Sequence, residues 1–140
     1  QLLFWGEGDG VGTTSRADWE WLPGHRTQLR LTGRGTVAEK HDGVEWATAA
    51  TAFRQLDHQR AVRTEIGAFG STEPKFEADE YFVNFRYRRS FLRPWLFYEL
   101  QPEHAWPLDA GTGERRNDWR FTVTLEIQFE NRPSRLRQSP

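Results

Sequence analysis

The residues from Trp119 to Phe129 constrain this chain more than any other stretch. Trp119, Phe121, Val123, Leu125, Ile127 and Phe129 share one parity, and Arg120, Thr122, Thr124, Glu126 and Gln128 share the other. Alternate residues lie on opposite faces only in an extended strand, so this period of two predicts a strand with one apolar and one polar face. It runs unbroken for eleven residues, and a tilted strand of about 9–11 residues crosses a bilayer.

The same period recurs upstream. Tyr81, Val83, Phe85 and Tyr87 alternate with Phe82, Asn84, Arg86 and Arg88. Leu96, Tyr98 and Leu100 alternate with Trp95, Phe97, Glu99 and Gln101, where both faces carry aromatics. Thr27, Leu29, Leu31, Gly33, Gly35 and Val37 alternate with Gln28, Arg30, Thr32, Arg34 and Thr36. Further strands are expected over 2–7, 14–22, 44–56 and 60–70, about eight in all, and no segment reads as a helix. Ala47 to Ala52 has helical propensity, but Thr48, Thr51 and the β-like flanks favour a strand.

The connections differ in length. Pro23-Gly24-His25, Asp57-His58-Gln59 and Ser90 to Pro94 read as short turns. Glu39 to Gly43, Ser71 to Asp79 and Trp106 to Asp118 read as longer polar loops, while Asp9-Gly10-Val11-Gly12 is short. Short turns at one end and longer loops at the other are the habit of outer-membrane barrels. An even strand count brings both chain ends to the short-turn side.

Composition fits. The chain has seven Trp, ten Phe and three Tyr, yet its mean hydropathy is low. A transmembrane barrel reconciles the two, because only alternate strand residues meet lipid. Cysteine is absent, which removes disulfides and thiolate chemistry. A formal net charge of −1 gives no global field toward nucleic acid. Methionine is absent too, even at position 1, so the chain is expected to follow a processing event or to belong to a longer polypeptide. No signal peptide is visible, and no apolar run approaches the roughly 20 residues of a membrane helix.

Alternation alone does not say which face is outside; a soluble lipocalin-like ligand-binding barrel also alternates, with its apolar face inward. Three features favour the membrane orientation. Arg30, Arg34, Arg63, Glu65, Arg86, Arg88, Glu99, Gln101 and Glu126 supply mixed charge and polarity suited to a lumen, where each charge needs a partner. Trp19, Trp21, Trp46, Tyr87, Trp106 and Trp119 sit near expected strand ends, as an interfacial aromatic girdle requires. The apolar band of the last strand is continuous.

That last strand, with Val123, Leu125, Ile127 and Phe129, resembles the C-terminal insertion signal of outer-membrane proteins, which the barrel assembly machinery reads. Thr124 stands where that signal often has glycine, and the chain continues past Phe129. A second stretch, Tyr87-Arg88-Arg89 with Arg93-Pro94-Trp95-Leu96-Phe97-Tyr98-Glu99-Leu100-Gln101-Pro102-Glu103 and Trp106-Pro107, resembles a poorly characterised family of proteobacterial outer-membrane β-barrel proteins. The likeness extends through Trp5-Gly6 and Gly43-Val44-Glu45-Trp46. It implies that this chain is the C-terminal part of a larger barrel, its first strand pairing with an upstream one, and it implies no activity.

The expectation is therefore an all-β, antiparallel, up-and-down transmembrane β-barrel of the bacterial outer membrane. The barrel occupies residues 1–130, followed by a flexible periplasmic tail over 131–140. Its expected role is a pore or an envelope scaffold, with outer-membrane lipid, the assembly machinery and periplasmic or envelope proteins as partners, and with no nucleic acid and no cofactor. A barrel enzyme acting on lipid or peptide is the alternative. Against it, His25 and His58 lie in short turns, His41 in a loop, and His104 reads as a solvated side chain beside Glu103 with no triad partner. Glu77, Asp79 and Glu80 read as a solvated loop, and Gly6 to Gly10 as a turn with no helix to hold a phosphate. The group Arg88, Arg89 and Arg93 reads as a basic rim in water.

Overall fold

The computed structural model describes residues 2–7, 10–39, 41–93 and 95–128. The expected Phe129, which closes the insertion signal, and the tail over 131–140 lie outside the described residues.

Eight strands follow one another: β1 (Leu2–Glu7), β2 (Gly10–Gly24), β3 (Thr27–Ala38), β4 (His41–Gln55), β5 (Arg60–Ser71), β6 (Glu77–Ser90), β7 (Leu96–Pro107) and β8 (Asp118–Ile127). Each pairs antiparallel with its successor in one up-and-down sheet, and the described residues contain no helix. The sheet is open, because β1 and β8 do not pair with each other.

Most boundaries lie outside the expected ones. β2 begins at Gly10, β6 extends to Ser90 and β7 runs through Pro102 to Pro107. The expected long loop at Glu39 to Gly43 is instead a tight hairpin in which Ala38 faces His41. A register shift between Thr36 and Ala38, and Gly43 at φ 86, absorb two extra residues within β4. His41 accordingly opens a strand instead of sitting in a loop. Only the connection after β7, residues 108–117, is long; the expected long loop after β5 shrinks to residues 72–76, the same length as the turn at 91–95 after β6.

The register is staggered. One cross-strand row runs Trp19, Leu31, Ala50, Ile66, Val83, His104 and Trp119. It starts toward the short-turn end of β2 and finishes at the second residue of β8, beside the long loop. Strands are therefore offset in a constant direction across the sheet.

Almost nothing is buried. Among the described hydrophobic residues only Ala68, Ala78 and Ala105 are fully inside, and no large side chain is. The accessible surface totals 11272 Å², against about 7,500 Å² for a folded soluble monomer of this mass. A one-layer sheet has no second layer to cover its apolar face, and burial of that face is what normally stabilises a domain.

Candidate functional site: a sheet with two chemically opposed faces

Directly paired residues share a face, so the register assigns every side chain. The apolar face carries Trp19 and Trp21 on β2, Leu29 and Leu31 on β3, Trp46 and Ala50 on β4, and Ile66 and Ala68 on β5. It continues through Tyr81, Val83, Phe85 and Tyr87, then Leu96, Tyr98, Leu100 and Trp106, to Trp119, Phe121, Val123, Leu125 and Ile127. All six expected girdle residues lie on this face. At the long-loop end Trp46 stacks on Phe76 with centroids 5.2 Å apart, and Tyr81 lies under the Arg115 guanidinium at 4.3 Å. At the short-turn end Tyr87 and Tyr98 meet at 6.1 Å.

His104 belongs to the apolar face, which corrects the reading of a solvated side chain beside Glu103. It is half-buried between Trp119, stacked at 3.9 Å, and Trp106 at 4.0 Å, with Nε2 3.3 Å from Asn117 Oδ1. Its shared parity with Trp106 was the signal in the sequence. Glu103, one residue earlier, points the other way. His25 and His58 are exposed at the short turns, and the described residues contain no group of side chains able to hold a metal.

The opposite face gathers all nine expected network residues: Arg30, Arg34, Arg63, Glu65, Arg86, Arg88, Glu99, Gln101 and Glu126. Arg86 Nη2 donates to Gln101 Oε1 at 3.0 Å, and its Nε lies 3.3 Å from Glu99 Oε1, too far out of line for a hydrogen bond. Arg88 reaches over β7 to Glu126 on β8 at 2.9 Å, its guanidinium 4.6 Å from the centre of the Phe97 ring. Arg63 pairs with Glu65, which also accepts from Thr51 at 3.3 Å. No partner is recorded for Arg34 among the described residues.

The network is wider than the sequence suggested. Glu20 binds Arg30 at 2.5 Å and accepts from Gln28 at 3.0 Å. Asp18 accepts from Arg16 at 2.8 Å and from Thr32 at 2.7 Å. Glu103 accepts from Asn84 at 2.9 Å and Arg120 at 3.3 Å. Asp18 and Glu20 were legible by parity, since they alternate with Trp19 and Trp21.

Arg63 stands directly across from Arg86. Like charges so placed repel, and Glu65 on one side and Glu99 on the other offset them. Beside this pair a groove of about 230 Å³ has Arg63, Arg86, Arg88 and Glu99 over an apolar floor of Phe53, Ala61 and Val62. A neighbouring one of about 200 Å³ is lined by Gln28, Arg30, Thr51, Phe53 and Arg63. Such a trough can hold water and small polar or ionic solutes, and it contains no aligned nucleophile and base.

No family model, curated protein or solved structure matches this chain. Function must therefore be argued from the two faces themselves. Leu31, Ile66, Val123 and Leu125 are 51%, 52%, 57% and 68% exposed, whereas the side chains of Glu65, Glu99 and Glu103 are 24%, 19% and 26% exposed. At these positions hydrocarbon is more accessible than carboxylate, while Glu20 and Glu126 on the polar face are each 44% exposed. The polar side chains crowd one another in cross-strand pairs.

Proposed function

We propose that this chain is part of an outer-membrane β-barrel that acts as a pore or envelope scaffold, its charged face lining the lumen and its apolar face meeting lipid. The observation that carries this reading is the uncovered apolar face, continuous from Trp19 on β2 to Ile127 on β8. In water such a face is a large association liability. In a bilayer, hydrocarbon covers it.

Three further features support the reading. The constant stagger is what closure into a tilted-strand barrel needs. Aromatic residues border the apolar face at both ends, where amphipathic rings favour the membrane interface. The crowding of the polar side chains fits a sheet curved with that face inward, which a lipocalin-like barrel, apolar within, does not match.

Lipid tolerates no unpaired strand edge, so additional strands complete the barrel between β8 and β1. This agrees with the resemblance to the C-terminal part of a larger outer-membrane barrel. An eight-stranded barrel is filled by side chains, and a larger one leaves an aqueous channel. The lumen is non-catalytic in this reading and needs no cofactor.

Heat-modifiable migration in detergent gels tests the barrel, and single-channel conductance in planar bilayers tests the pore. A shift in migration with stepwise conductance supports a pore; a shift without conductance supports the scaffold. A chain that stays soluble and monomeric without detergent overturns the membrane reading.

A further inference from the structure

The basic residues near the short turns do not form one rim. Strand parity divides them. Arg88 points to the polar face and binds Glu126. Arg89, its neighbour, lies on the apolar face directly opposite Arg60. Arg54, opposite Val62, is on that same face of the adjacent strand. Three arginines from β4, β5 and β6 thus share one face, at its short-turn margin, next to Tyr87 and Tyr98.

Among the described residues, one of the three charges is compensated and two are not. Arg60 Nη2 lies 2.5 Å from Asp57 Oδ2. Arg54 and Arg89 are exposed, and no ion pair or hydrogen bond is recorded for either side chain among the described residues. Two arginines directly opposite each other destabilise a sheet unless an anion lies nearby. The far end has the opposite sign: Glu39, Asp42, Glu73, Asp79, Asp109 and Glu114 crowd the long-loop end.

We infer that Arg54, Arg60 and Arg89 form a binding site for the phosphate head group of an anionic phospholipid, whose acyl chains lie along the apolar face above it. The inference rests on the membrane reading. Charge complementarity selects the head group, because guanidinium groups offer forked donors to phosphate oxygens. Continuity with the apolar face selects a lipid over a free anion, since Val62, Tyr87 and Leu100 extend directly from the cluster into the hydrocarbon band. The tyrosines mark the depth at which a head group sits. The acidic far end repels the same lipid, so the site favours one leaflet.

The test is association of the full-length barrel protein that contains this chain with phosphatidylcholine vesicles, with and without a minority of phosphatidylglycerol, followed by tryptophan fluorescence. The site variant is Arg54→Gln/Arg89→Gln, which spares the Arg60–Asp57 turn. A control of equal charge loss is Arg93→Gln/Arg116→Gln, one position in a turn and one in a far loop. Each arginine at an anionic surface contributes on the order of fivefold in affinity, so the site variant is expected to lose about thirtyfold of its preference for the anionic vesicles. The control is expected to lose no more than about fivefold, from Arg93 alone. Equal binding of the unsubstituted chain to both vesicles, or a control that falls as far as the site variant, overturns the site and leaves the membrane reading intact. Failure to insert into either vesicle overturns the membrane reading itself.

Discussion

Val123→Arg tests which solvent the apolar face meets. Val123 is the sixth residue of β8, pairs with Leu100 and is 57% exposed. If hydrocarbon surrounds it, an arginine there sits near the bilayer midplane, where the cost is about 2–4 kcal/mol. If water surrounds it, the substitution exchanges one exposed side chain for another and costs no more than about 0.5 kcal/mol. Thr122→Arg supplies the internal comparison. Thr122 is one residue away, on the polar face opposite Gln101, and the carboxylates of Glu99 and Glu103 lie on that face of β7. An arginine there is expected to change stability by less than about 1 kcal/mol. The assay is reversible guanidinium unfolding of the full-length barrel from lipid vesicles, followed by tryptophan fluorescence, for both variants and the parent. A Val123→Arg loss indistinguishable from that of Thr122→Arg would refute the assignment of faces to solvents.

Other consequences are equally specific. A double-mutant cycle on Arg88→Ala and Glu126→Gln should give a coupling of about 1 kcal/mol, because the pair is partly exposed in a polar trough; no coupling would mean that the contact across β7 is idle. Gly67→Ala should destabilise by about 1–3 kcal/mol, since its Cβ would lie 2.6 Å from both Phe82 Cζ and the Thr48 carbonyl; an unchanged unfolding midpoint would contradict that packing. Leu92, exposed in the turn before β7, has φ 60, so Leu92→Gly should raise stability by about 0.5–1 kcal/mol in the same titration. Asp109 accepts from the Gly111 and Thr112 amides, which hold its carboxyl below the ordinary value of 3.8. Its folded pKa is the lower one, so its contribution is present above 3.8 and is lost as pH falls through the folded value. Protection of the Gly111 and Thr112 amides, taken against their intrinsic exchange rates, should fall only over that acidic interval, and a carboxyl midpoint by NMR at or above 3.8 would count against the turn.

Phase was the most legible property of the sequence. The parity of β3, β6, β7 and β8 is as read, because one misplaced residue would mix arginine with leucine on a single face. Strand ends were less legible. Pro102 argues for a strand end because it has no amide hydrogen to donate, yet β7 continues through it. The strand tolerates the proline by omitting part of the ladder: the pairing with β6 passes from Asn84–Glu103 to Tyr87–Leu100 with no registered partner between. The polar run after Val37 suggested a loop, and bulges contracted it into a hairpin. For His104 the sequence neighbour Glu103 is a misleading guide, because its contacts come from Trp106 two residues on and from Trp119 across the strand pair. The basic group Arg88, Arg89 and Arg93 was read as one unit, and parity separates its members. The wider network of Asp18, Glu20, Asn84, Glu103 and Arg120 depends on register, which alternation alone does not supply.

On the proposed membrane reading, the charge ladder on the polar face would also act as a proofreader during assembly. Sliding β8 by a single position against β7 would turn Arg120 and Glu126 outward and Val123 and Leu125 inward. Every such error strands ions on the greasy side and breaks their pairings in one stroke. A membrane that rejects misplaced ions thereby rewards one alignment, even in a sheet with scarcely any interior to enforce it.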